Sequence, residues 1–354
     1  MPELTARQET ILGLTVQEFI ANKQPVGSQY LVEKFDLPMS SATVRAEMAA
    51  LEEMGYLDHP HTSAGRIPTE EGYRYFVQRL IGETYLPVRE QRMIRHQFHQ
   101  TRLDIEQWMR LAAAVLARTA RSAALVTAPH MHQSRFKHIE LISTQGSVVL
   151  LVLVLGSGEV LQQMLTLAQS FSQEELSQSA NLLNNACHGL SSREIAVAFS
   201  SLPVLEREIG LIIRELMSRA DERVASRVFQ DGLSNLFEVP DPERADTFSQ
   251  GIRLLEERTF LEEVLRRSLN MTQPALDTGG ETVQVLIAGE GRWEELKNWS
   301  MVLARYGLSG YAVGALGVFG PTHMHYGRAI SAVRYVAGLM TELMRQLYSY
   351  ESPN

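Results

Sequence analysis

Strand-forming segments fall into two separate blocks of this 354-residue chain, with a long helical stretch between them. The first block has apolar runs at Ala123 to Ala128, His138 to Ser143, Val148 to Leu155 and Val160 to Leu165. Gly156-Ser157-Gly158 offers a tight turn between the last two. The second block has Val283 to Ala288 and Leu308 to Phe319. Strands on both sides of a helical block predict one α+β domain with a helical insertion. Residues 191–278 form that block, with helical patterns at Arg193 to Phe199, Leu205 to Val228 and Asp241 to Leu269. Further helices are expected from Pro87 to Arg121, from Gln173 to Leu190, and from Pro321 to Tyr348.

The first 82 residues have a different texture, with short helices and frequent turn signals. Thr5 with Gln8 is a capping-box pair that opens a helix, and Pro25 stops it. Ser28 is a candidate cap for a second helix, which turns Tyr30, Leu31 and Phe35 inward. Ser40 and Ser41 precede a third helix with Val44, Met48 and Leu51 on its inner face. Gly55 ends that helix. Two short strands follow, Tyr56 to His59 and Arg66 to Pro68, and Thr69 caps a further helix. Helix, helix, turn, helix and hairpin is the winged helix-turn-helix order. A helix of this kind fits the major groove, and the hairpin reaches the backbone or the minor groove.

On that third helix Ser40, Ser41, Thr43, Arg45 and Glu47 are the candidates to meet DNA. Arg45 can take a guanine edge or a phosphate, and the hydroxyls can take phosphates or bases. In the hairpin loop His61, Thr62, Ser63 and Arg66 supply donors, and Gly65 allows a close approach. Charge argues the other way. The chain has a net charge of -8, and residues 1–82 carry seven basic against eleven acidic side chains, a balance of -4. Placement must therefore do what net charge does not, with Arg45 and Arg66 facing DNA and Glu52, Glu53, Glu70 and Glu71 pointing elsewhere.

Several of these stretches resemble the heat-inducible transcription repressor family HrcA. They are Pro25-Val26-Gly27-Ser28, Ser40-Ser41-Ala42-Thr43-Val44-Arg45, Leu51 to Leu57, and His61-Thr62-Ser63-Ala64-Gly65-Arg66-Ile67-Pro68-Thr69. Near the other end Glu294 to Lys297, Tyr306-Gly307 and Gly320-Pro321-Thr322-His323-Met324-His325-Tyr326 are similar to that family as well. One position departs from the pattern: Ala46 stands where the family usually has Asn, and it cannot bond a base. The resemblance implies a multidomain α+β protein. Residues 1–82 would be the winged-helix DNA-binding domain, 83–190 and 279–354 a GAF-like α+β domain, and 191–278 an inserted helical dimerisation domain. It also implies a repressor of chaperone operons on an inverted repeat called CIRCE, kept active by the GroEL chaperonin and inactivated on heat stress. An inverted repeat calls for a homodimer.

Other chemistry has little support in the sequence. No cofactor or metal is expected, although His59/His61, His130/His132 and His323/His325 are spaced as His-x-His pairs. Cys187 is the single cysteine, so it cannot form an internal disulfide, and it reads as buried filler. No set of catalytic residues is evident, so an enzyme is not expected. The most apolar run has eight residues, far below the ~20 of a membrane helix, and a cytoplasmic protein is expected. A regulator that senses a metabolite in the GAF-like domain is the alternative.

Overall fold

The computed structural model describes residues 4–60, 65–101, 104–129, 134–156, 158–199, 202–222, 228–237, 245–268, 283–291, 293–308 and 312–350. Helix α1 (Ala6–Asn22) opens with the Thr5/Gln8 capping box. It ends earlier than Pro25 requires, because Lys23 takes a left-handed conformation and its amide caps the helix. Helix α2 (Ser28–Phe35) has Gly27, not Ser28, at its N-cap. Tyr30, expected inside, is exposed and donates its hydroxyl to Glu18 at 2.7 Å. Helix α3 (Ser41–Glu53) buries Val44, Met48 and Leu51 as its spacing predicts. Strands β1 (Leu57–Asp58) and β2 (Ile67–Pro68) pair antiparallel, and Thr69 caps α4 (Glu70–Tyr75).

The long helix expected from Pro87 to Arg121 is two helices, α5 (Val88–Gln100) and α6 (Ile105–Ala120). Asp104 caps α6 by accepting the Glu106 amide at 2.9 Å, a start signal that needs no proline or glycine.

A five-stranded antiparallel sheet forms the centre, in the order β7-β3-β10-β9-β8. Its strands are β3 (Ala123–Thr127), β7 (Val228–Asp231), β8 (Val283–Ile287), β9 (Trp299–Leu308) and β10 (Ala312–Pro321). The single strand expected over Leu308 to Phe319 is thus the end of β9 plus β10, and most of β9 carries no alternating pattern. Both faces of the sheet are covered, so β3 and most of β10 are buried at every residue. On one face lie α6 and the closing helix α12 (Tyr326–Tyr350), which starts five residues after Pro321. On the other lie α10 (Ala245–Glu256) and α11 (Arg258–Ser268), with Trp299 stacked on Phe319. At Gly317 a Cβ would run into the Val302 carbonyl oxygen, so glycine permits the tight β9–β10 approach.

The helical block expected at 191–278 does not fold as one unit. Strands β4 (Phe136–Gln145), β5 (Val148–Leu155) and β6 (Val160–Thr166) make a separate three-stranded sheet. Helices α7 (Gln173–Cys187), α8 (Ser192–Ala198) and α9 (Val204–Glu222) cover one face of it, burying Leu176, Ile195, Ile209, Ile213 and Met217. The chain then returns to the central sheet with β7, where Phe229 opposes Val126. What interrupts the central sheet is therefore the segment between β3 and β7. Helical periodicity marks a buried face but not the sheet it packs on, which is why the boundary fell elsewhere in the sequence. Cys187 is fully buried in this second core, and burial pushes its thiol up to about 11. The stripe Leu211, Ile212, Glu215, Leu216, Arg219 lies beside the buried face, with Leu211 exposed and Arg219 paired to Glu215 at 2.5 Å.

Candidate nucleic-acid interface

Helix α3 is fixed from its inner face and its start. Val44, Met48 and Leu51 lock it against α1 and α2, and the Ser40 hydroxyl accepts the Thr43 amide at 3.1 Å. Ser40 and Thr43 also bond each other through their hydroxyls at 2.9 Å. These two residues are therefore caps first, and Ser41 is half-buried. Glu47 turns toward α1, where Arg7 binds it at 3.4 Å. Arg45 is exposed, and Ala42, Ala46 and Ala49 flank it at helical spacing. The expectation singled out the polar residues; the alanines went unnoticed because small side chains carry no chemical signature.

The hairpin is tied to the helices by backbone. Val26 and Arg66 exchange N–H···O bonds at 2.8 and 2.9 Å. Gly65 makes this possible, since a Cβ there would sit 2.5 Å from the Val26 oxygen and 2.8 Å from the Gly27 nitrogen. Its close approach is thus to the protein's own chain. His61, Thr62 and Ser63 lie outside the described residues.

Arg66 does not face away from Glu52, as expected; its Nε donates to Glu52 Oε2 at 2.6 Å. The other Glu52 oxygen bonds His59 Nδ1. Burial works to raise the Glu52 carboxyl, but the hydrogen bonds from Arg66 and His59 outweigh it and hold the group below its usual range. Glu52, Asp58 and His59 bring ligand atoms within 4.8 Å of one another. Both Glu52 oxygens are already engaged, and a cation there would meet the Arg66 guanidinium, so this cluster is a clamp at the hairpin base.

The same accounting extends to the other cations. Lys34 binds Glu18 at 2.8 Å, Lys23 donates to the His323 carbonyl at 2.6 Å, and Arg74 is paired with Glu71 and Glu70. Among the described residues, Arg45 and Arg79 are the basic side chains of this segment that make no hydrogen bond or ion pair. The N-terminal unit also rests on the rest of the chain. Phe19 meets the His323 ring edge-on at 6.4 Å, and Tyr73 lies 6.0 Å from Tyr326.

Comparison with known proteins covers nearly the full length of the chain. A family model described as the HrcA protein C-terminal domain matches residues 106–330. The heat-inducible transcription repressor HrcA of Roseiflexus castenholzii is 44% identical, covering 99% of this chain and 97% of that protein. Its counterpart in Chloroflexus aurantiacus is 45% identical, covering 98% and 95%. A solved structure described as a hypothetical protein shares the fold, with a TM-score of 0.57 at 24% identity over 97% of this chain and 98% of that one. No helix among the described residues is long and apolar enough to cross a membrane.

Replacing Gly65 with Ala should detach the hairpin from the α1–α2 turn and cost about 1–3 kcal/mol. Faster hydrogen exchange at the Val26 and Arg66 amides is the expected signature; unchanged exchange would contradict the close approach. Similarity over nearly the whole length of both chains, well above the level that fold alone explains, places this chain in the HrcA family of heat-inducible transcription repressors.

Proposed function

We propose that the chain is a homodimeric, DNA-binding repressor of heat-shock operons, with α3 as the recognition helix and β1–β2 as the wing of a winged helix-turn-helix domain. The observation that carries this is the outer face of α3, where Arg45 pairs with no carboxylate among the described residues and is set between alanines. Small side chains let the helix backbone sit deep in the major groove, and their methyl groups suit thymine. Arg45 is then the residue for a guanine edge or a phosphate. Ser41, Thr43 and the α3 amides serve phosphate, and Ser40 acts through the cap. Arg66 reaches the backbone with the part of its guanidinium that Glu52 leaves available. His61, Thr62 and Ser63 stay in the proposal as loop contacts. The operator is the CIRCE inverted repeat. The relatives' names all describe repressors, which favours this over a metabolite-sensing regulator.

In a gel shift on that repeat, Arg45→Ala should weaken binding by about 1–3 kcal/mol, roughly 5- to 150-fold. Arg345→Ala, on the distant end of α12, should change it less than twofold. Equal losses would remove Arg45 from the interface.

A two-fold operator needs a two-fold protein. The dimer surface in this proposal is the outer face of β4-β5-β6, the central sheet with its helices being the GAF-like domain. Cross-strand partners Ile142, Leu150 and Met164 form one row of that face, and Val154 with Val160 another. Ile142 and Met164 are 43% and 52% exposed, unusual for apolar residues in adjoining strands. Ile142→Glu with Met164→Glu should raise the dimer dissociation constant at least ~100-fold, because each buried carboxylate costs several kcal/mol. A variant that sedimented as a dimer at micromolar concentration would exclude this face.

The GroEL chaperonin is the proposed partner that maintains activity. Purified repressor heated and cooled should lose operator binding and regain it when GroEL and ATP are added. Full recovery without chaperonin would overturn that role.

A further inference from the structure

Between the N-terminal unit and the body, residues 81–87 cross an open cleft of about 360 Å³ walled by α5 and α12. Two guanidiniums converge on it, Arg95 from α5 and Arg334 from α12. Arg334 Nη1 donates to the Thr84 carbonyl at 3.1 Å, and its guanidinium lies 5.9 Å from the Tyr85 ring. Among the described residues no carboxylate pairs with Arg334. Arg95 is bonded to the Tyr335 hydroxyl, with Glu342 the acidic group near it. A concavity that gathers two permanent cations and two tyrosines in an acidic chain is suited to a small oxyanion.

We propose that this cleft binds a small oxyanion, a carboxylate or a phosphate, between Arg95 and Arg334. The volume lies at the small end of ligand pockets, which excludes anything as large as a dinucleotide. Thr84 and Tyr85 belong to the segment that joins the N-terminal unit to α5. A bound anion would clamp that segment to α12, so occupancy is coupled to how the N-terminal unit is carried. The site is independent of the repressor proposal, because binding is read without DNA.

Calorimetric titration of the full chain with citrate and with inorganic phosphate tests it, the two probes separating carboxylate from phosphate preference. At least one should bind wild type with a Kd below about 5 mM. Arg334→Gln and Arg95→Gln should each weaken that binding roughly tenfold or more. Arg92→Gln, on the exposed side of α5, should leave it unchanged. Arg334 also holds the Thr84 carbonyl, so Glu342→Gln provides a variant that threatens no packing. Removing that carboxylate should tighten binding. Absence of binding by both probes up to that concentration, wild-type affinity in either arginine variant, or no tightening in Glu342→Gln would each overturn the site.

Discussion

The pairing of β3 with β10 is the constraint on which the rest of the molecule depends. Ala123 to Val126 oppose Leu316 to Phe319 across nearly two hundred residues of chain. Side chains lock the same join. Tyr306 donates its hydroxyl to the Thr127 carbonyl at 2.5 Å, and the Ala315 amide donates to Thr127 Oγ1 at 2.8 Å. Because α6 enters β3 and α12 follows β10, this one ladder sets both helices on the same face of the sheet. It also forces the β4-β5-β6 unit outward, since its chain leaves at one edge of β3 and returns as β7. The start of α12 in turn seats the N-terminal unit through His323 and Tyr326. The position of Arg45 in space is therefore decided by a contact made far from it in sequence.

Charge is organised by the same economy of placement. A segment with a balance of -4 can present a cation to DNA only if its carboxylates are occupied elsewhere. Glu18, Glu47 and Glu52 are occupied by Lys34, Arg7 and Arg66, and each pair pins two elements together. The ion pairs themselves are worth little at an exposed surface. Their effect is selective: they withdraw cations from competition and leave Arg45 as the prominent charge on the α3 face.

Most short-range signals were legible in the sequence, although Ser28 proved not to cap α2 and Tyr30 not to face inward. The capping pairs at Thr5 and Ser40, the inner face Val44/Met48/Leu51, and the limits of β5 all follow from adjacent residues. Long-range choices were not. Nothing near Val228 distinguishes a strand pairing with β3 from the end of a helix, and nothing in Ile195 or Ile213 names the sheet they cover. The long pattern from Pro87 to Arg121 hid a break because the second helix starts on an aspartate cap, with no glycine or proline to mark the gap. At the candidate interface the residue types were visible but their partners were not. Glu47 and Ser40 turned out to be held by the protein itself, and the alanine surface around Arg45 carried no signal at all.

The β3–β10 ladder also has a consequence in time. At ordinary synthesis rates of ~5–20 residues per second, a ribosome needs on the order of ten seconds or more to travel from β3 to β10. Throughout that interval β3 lacks at least one of its two neighbours, and α6 has no complete sheet to cover. Non-local pairing is slow even after release, because a long loop must close before the contacts that stabilise it exist. A chain built this way spends its early life as an aggregation-prone intermediate. Its arrival at the finished state therefore depends on closing that long loop before the exposed strand meets another chain.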